Sequence, residues 1–307
     1  MVRNPFKYAE GQKIQIMAEQ RGQIKSLYLD LYNHVKGELK YLSRSTSQYA
    51  IDRKAYLNGL KKDLAQSMRN VDAQTETIIN GNMDKAVQAV LENNQIYLSG
   101  LGYSSYIDNG KMKNDVLKRI ATGQIYGGKW NLSKAIWGDD KAKINEINKI
   151  IAQGVAQNKT AEEIARMIQK YVNPSVKIPL NIPGVRGTID YNALRLAKTA
   201  VQHAYQQAFV SATRLNPFID AYRWVTSGNG NVCPLCIERA ETDQYGLGEG
   251  IFPKDALPLD HPNGQCTFEV VTSMSDAEIA DAIADWYLGE GDDGLNKELD
   301  MFAKYLM

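Results

Sequence analysis

The chain has 307 residues, 44% of them hydrophobic and 23% charged, an ordinary composition for a folded protein of two domains or of one domain plus a long helical part. Its three cysteines make no even disulfide framework, and the opening residues lack the apolar core of a signal peptide. No run of about 18 apolar residues reads as a membrane span, so a reducing cytosol is the expected first setting. The formal net charge of +1 conceals an asymmetry: residues 1–200 hold 30 lysines and arginines against 18 acids, and residues 201–307 hold 6 against 17. The basic half is expected to face nucleic acid or an acidic protein surface, and the acidic part to stay away from DNA.

In chain order, Ile24, Leu27, Leu31, Val35, Leu39 and Leu42 recur at three- and four-residue steps and predict a long amphipathic helix, broken at Ser43 to Ser47. A second stripe, Leu57, Leu60, Leu64, Met68 and Val71, continues through Ile78, Met83, Val87, Val90 and Leu91, with a kink expected at Asn80-Gly81-Asn82. Two such neighbours are expected to pair as an antiparallel hairpin. Residues 98–111 read as loop, followed by short helices near Asp115 to Ala121, from Leu132, and over Ile144 to Val155. Thr160-Ala161-Glu162-Glu163 is a capping box opening a helix through Tyr171. Residues 173–188, with Pro174, Pro179, Pro183, Gly184 and Gly187, read as a linker or extended arm.

A strong helix is predicted from Tyr191 to Arg214, with Leu194, Ala197, Val201, Ala204 and Ala208 on one side. Tyr222 to Thr226 alternates as a strand, Ser227 to Asn231 turns the chain, and Thr267 to Val271 is a second strand of the same small sheet. Ser275-Asp276-Ala277-Glu278 is another capping box and starts a helix to Leu288. Gly289 to Gly294 is read as flexible, and Leu299, Phe302 and Leu306 mark a last short helix. The expected fold is mainly α with a small α+β C-terminal zinc-stabilised module, divided as a long-helix region 1–172, the linker or arm 173–188, and the module 189–307.

The chemistry is concentrated in one stretch. Cys233-Pro234-Leu235-Cys236 is a knuckle, and after a 24-residue gap comes His261 with Cys266 five positions on. Three thiolates and one imidazole make the ligand set of a closed tetrahedral zinc site, so Cys233, Cys236, His261 and Cys266 are the candidate metal ligands. A redox Cys-x-x-Cys leaves the third cysteine and the histidine unexplained, and inert buried cysteines are the remaining alternative. Asp260 and Asp255 read as solvated or as partners orienting His261. Asp260-His261 with Asn263 faintly resembles an HNH nuclease core, but that chemistry wants a further downstream histidine, and His34 and His203 both lie upstream. No Gly-x-Ser-x-Gly, phosphate-binding loop or His-Glu-x-x-His occurs, and Gly246 to Gly250 lacks a surrounding strand, turn and helix, so no catalytic residue is assigned.

The order Arg223-Trp224-Val225-Thr226, a Gly/Asn turn, Val232-Cys233-Pro234-Leu235-Cys236, and His261-Pro262-Asn263-Gly264-Gln265-Cys266 resembles the phage minor head (head morphogenesis) proteins related to the Mu minor head protein. Arg195 to Ala200 is similar to that family's Arg-x-Ala-Arg-Thr-Glu segment, and Gly128 to Ser133 with Ile136-Trp137 to its Leu-Ser-x-x-Ile-Trp stretch. The likeness spans roughly residues 125–271 and is strongest over 222–268. Two departures stand out: Gly264-Gln265 replaces a common Cys-Arg, and Ala200 stands where the family has glutamate. The resemblance implies a minor structural protein of a tailed-phage head, present in few copies inside the capsid near the portal and in the host cytoplasm during assembly. Its implied partners are the portal protein and non-specific phage DNA, with scaffold or major capsid protein as further contacts and no membrane. It would act in head assembly or genome ejection and not as an enzyme. Some relatives carry a fused toxin domain, for which the residues after the second strand are too few. The alternatives are a metal-dependent DNA-processing nuclease and a toxin-trafficking module.

Overall fold

The computed structural model describes residues 2–42, 50–103, 108–128, 131–157, 159–175, 188–228, 230 and 232–307. The expected break at Ser43 to Ser47, most of the arm 173–188, Lys129 and Trp130, and Asn229 and Asn231 lie outside the described residues. The chain is mainly helical: α1 (Lys7–Leu42), α2 (Ala50–Gly100), α3 (Asn109–Ala121), α4 (Leu132–Ala156), α5 (Ala161–Val172), α6 (Tyr191–Thr213), α7 (Pro234–Glu241), α8 (Asp276–Leu288) and α9 (Asp293–Leu306). Four short strands, β1 (Val2–Arg3), β2 (Ala221–Val225), β3 (Ile251–Pro253) and β4 (Thr267–Val271), form one antiparallel sheet in the order β1-β4-β2-β3. No helix among the described residues is long and apolar enough to cross a membrane.

Several elements follow from local sequence. The capping box at Thr160 is closed in both directions, Thr160 N–H donating to Glu163 Oε2 at 2.7 Å and Glu163 N–H to Thr160 Oγ1 at 3.2 Å. Ser275 and Glu278 do the same at the start of α8, which ends at Gly289 in the left-handed region. Other expectations are corrected. The supposed loop 98–111 is shorter, because α2 runs to Gly100 and α3 begins at Asn109, where the Asp108 carboxylate accepts from Lys111 N–H. The helices expected from Leu132 and over 144–155 are one, α4; Gly138 is a weak helix former but does not break it. Helix α2 is uninterrupted across Asn80-Gly81-Asn82.

The chain divides into two compact units, each assembled from separate stretches. The first comprises residues 1–17, 82–125 and 198–307, the second residues 18–81 and 126–197. The second unit is helical and its core is built from the predicted stripes, with Ile24, Leu31 and Val35 of α1 and Leu57, Leu60, Leu64 and Met68 of α2 buried, joined by Ile164 and Ile168 of α5, for which no stripe was predicted. Tyr28, outside the predicted stripe, is fully buried beneath the Lys143 ammonium, 4.7 Å from its ring centroid. Helices α4 and α5 approach closely at Gly154, where a Cβ would lie 2.5 Å from Ile164 Cγ1.

The first unit holds the sheet. Its core is a run of aromatic contacts: Phe6 meets Phe209 edge-on at 5.0 Å, Phe209 meets Tyr222 at 5.2 Å and Phe268 at 5.8 Å, and Trp224 meets Phe268 at 5.3 Å. From Thr199 to Phe209 nearly every residue of α6 is buried, not the single predicted side. At the far end Trp286 of α8 stacks on Tyr103 at 5.5 Å, and Leu299, Phe302 and Leu306 bury the inner face of α9.

Candidate metal centre

The four predicted ligands come from three kinds of backbone. Cys233 is the N-cap of α7, with Pro234 at its first position, where the fixed φ and missing N–H suit a helix start. The Cys233 carbonyl accepts from Cys236 and Ile237 N–H, which folds the knuckle so that Cys236, one turn on, is buried beside it. His261 opens a turn in which Gly264 N–H donates to His261 O at 2.9 Å. Pro262 takes the second position and Asn263 the third with φ +70°, the signature of a type II turn; Asn263 is the one non-glycine residue with positive φ among those described. Cys266 immediately precedes β4 and is buried.

The structure brings all four together. Cys233 Sγ and His261 Nε2 are 3.1 Å apart. The ligand atoms of Cys233, Cys236 and His261 lie within 4.8 Å of one another, as do those of Cys236, Asp260 and Cys266, with Cys236 common to both sets. The three cysteines are free, so the cluster can bind a metal ion. Tetrahedral ligands at about 2.0–2.3 Å from a metal are separated by about 3.3–3.8 Å, a spacing the cluster already approaches.

Three further observations suit thiolate and imidazole ligation. His261 Nδ1 faces Pro262 O at 3.0 Å; a carbonyl can only accept, so the proton sits on Nδ1 and Nε2 keeps its lone pair toward Cys233. The Trp224 indole N–H is buried without a hydrogen-bond partner among the described residues, and together with Ser227 N–H it acts on the Cys266 thiol in the direction that lowers its pKa. N–H groups aimed at a sulfur favour its thiolate. Burial nevertheless raises the Cys266 thiol, with the Asp260 charge adding to it. The Cys236 thiol is also pushed up, first by burial and then by its sulfur neighbours. A cation is what would relieve three crowded sulfurs, two of them buried.

Asp260 is a bracket, not a solvated acid. Its side chain is fully buried, Oδ1 accepting from His261 N–H at 2.8 Å and Oδ2 from Cys266 N–H at 3.2 Å, so one carboxylate fixes the backbone of two ligands. Gly264 is needed beside it, since a Cβ there would fall on the Asp260 carboxylate. Asp255 is exposed.

Sequence reasoning left out the support from α6. Thr199, Gln202, His203 and Gln206, at helical spacings of three and four, bind the loop backbone. Asn263 N–H donates to Thr199 Oγ1 at 2.9 Å, and Gln202 Nε2 donates to Cys266 O at 2.6 Å. His203 Nε2–H donates to Asp260 O at 2.9 Å, and Gln206 receives from Asp260 N–H while donating to Pro258 O. Burial holds the His203 imidazole below its usual range, which keeps it neutral, and the Asp260 carbonyl fixes the Nε2–H tautomer. The available signal was four hydrogen-bonding residues at three- and four-residue steps within the largely buried middle of α6. His34 is exposed on α1 and takes no part. On the other side, the Arg239 guanidinium stacks over Trp224 at 4.8 Å and donates to Leu259 O. Comparison with protein-family models, with curated proteins and with solved structures finds no match.

Proposed function

We propose that Cys233, Cys236, His261 and Cys266 hold one structural zinc ion in a protein that works by interaction and not by catalysis, as a minor component of a tailed-phage head at the portal vertex. The observation that carries the metal reading is the convergence of a complete one-nitrogen, three-sulfur set on Cys236. When bound, zinc supplies a cross-link between the knuckle of α7 and the loop before β4, and four protein ligands leave it no open position for water or substrate. The head-protein reading rests on the ordered motifs at 223–226, 232–236 and 261–266, which in this fold belong to one module of strand, knuckle, turn and strand.

The interaction reading draws on charge. The second unit holds 21 lysines and arginines against 13 acids, and the first 15 against 22. Exposed Lys61, Lys62 and Arg69 of α2 belong to the basic unit and suit a phosphate backbone. Elemental analysis of protein purified without chelator, paired with a gel shift on duplex DNA across a salt series, is the test. About one zinc per chain is expected, with sequence-independent binding that weakens steeply with salt and falls in Lys61→Glu/Lys62→Glu. Protein without stoichiometric metal would end the zinc reading. A folded His261→Ala variant that loses a hydrolytic activity present in the wild type would replace the structural reading with a metal enzyme.

A further inference from the structure

Lys13 of α1 is 1% exposed, yet among the described residues its ammonium forms no ion pair. Nζ donates to the Cys266 carbonyl at 3.2 Å and lies 4.4 Å from the centroid of the Tyr205 ring. Lysine is almost never buried without a counter-charge, because desolvating an ammonium is costly. The charges that face it are Glu10 on its own helix, Asp260, the Cys266 sulfur and, opposing them, Lys198 of α6. Burial outweighs the attraction of these negative groups, and the ammonium is pulled down to about 8.

Residues 2–17 touch the metal loop once more and the elements that flank it twice. Gln265 Nε2 reaches Met17 Sδ at 3.8 Å, and β1 pairs with β4 through Val2–Val271 and Arg3–Val270, on the strand that begins directly after Cys266. Phe6 is fully buried against Phe209. The Cys266 carbonyl thus accepts from both Lys13 and Gln202 while its sulfur belongs to the cluster.

We propose that Lys13 is the counter-charge of the metal–thiolate centre, so that metal loading and docking of the N-terminal arm, residues 2–17, are one coupled equilibrium. The proposal rests on the zinc reading above. Three thiolates around a dication leave one negative charge, and the buried Asp260 carboxylate adds another. Lys13 is the buried cation placed against them. Loading therefore strengthens the hold on the arm, and by reciprocity a docked arm strengthens the hold on metal.

The test uses the full chain. Zinc affinity is measured by competition with a chromophoric chelator, and hydrogen exchange is followed with and without metal. Lys13→Met should weaken zinc about 10- to 100-fold, the usual range for a group behind the ligands. Lys13→Gln, which keeps a donor but not the charge, should weaken it likewise. In the wild type, chelation should speed exchange over residues 7–17 by about 5- to 150-fold while α3, in the same unit, changes little. A Lys13→Gln affinity equal to wild type would overturn the counter-charge, leaving a neutral hydrogen bond. Exchange that rises at 233–241 but not at 7–17 would overturn the coupling, and this measurement decides even if Lys13→Met does not fold. Wild-type protein that takes up no zinc would instead fail the underlying metal reading, an outcome visible before any variant is made.

Discussion

The two units solve the same problem with different materials. The second buries apolar stripes of α1, α2, α4 and α5 against each other, and its glycine contact at Gly154 serves close helix packing. The first must also hold a long irregular stretch, residues 254–266, which belongs to no strand or helix. A buried loop exposes backbone donors and acceptors that water cannot reach. Thr199, Gln202, His203, Gln206, Asp260 and Arg239 supply those partners from side chains, and the cysteine–histidine cluster sits where they converge. Helix packing tolerates approximate sequence, whereas a loop of this kind depends on individual residues.

Metal removal is the strongest way to separate the units. Cys236→Ser should abolish stoichiometric zinc and lower the melting temperature by about 10 °C, since a ligand held at about 1,000 times its dissociation constant adds about 4 kcal/mol. Hydrogen exchange should rise around α7 and β4 but not in α4 and α5; a uniform rise across both units would break the comparison. Acid should act in the same direction on the wild type. The Cys236 and Cys266 thiols are raised and must lose their protons to bind, so falling pH favours the metal-free form, read as zinc release in a pH titration.

Gly264→Ala should come next, at about 1–3 kcal/mol for overpacking, because the added methyl displaces the Asp260 carboxylate from two ligand backbones. Denaturant unfolding and zinc affinity should both worsen. Gly154→Ala is the matched probe of the helical unit: a cost of up to about 1–3 kcal/mol as Ile164 gives way, with zinc content unchanged. If Gly154→Ala also loosened zinc, the units would not be independent in stability. The smallest effect is expected from Ser275→Ala, about 1 kcal/mol for a lost N-cap at α8 and no change in metal affinity.

Much of this was legible in the chain. The capping boxes at Thr160 and Ser275, the strand Thr267–Val271 and the stripes of α1 and α2 are local signals, written within a few residues of where they act. The four candidate ligands were also legible, because a metal restricts both residue type and spacing. Helix α7 was missed: its eight residues are too few to show a period, and it is set by Pro234 and the folding of the knuckle. Strands β1 and β3 were missed because two and three residues carry no alternation. The continuity of α4 was missed because Gly138 and the adjacent acids look like a boundary when only propensity is weighed.

By itself, then, the sequence determined the helical class, the helix boundaries marked by caps, and the identity of the metal-ligand candidates. Each of these depends on neighbours in the chain or on a side chain's intrinsic chemistry. Only the tertiary structure decided that Asp260 ties His261 to Cys266, that one polar face of α6 carries the loop, and that Lys13 comes to rest 3.2 Å from a carbonyl 253 positions away. These contacts join residues distant in sequence, and their energy comes from burial and unsatisfied hydrogen-bonding groups that exist only once the chain has closed around them.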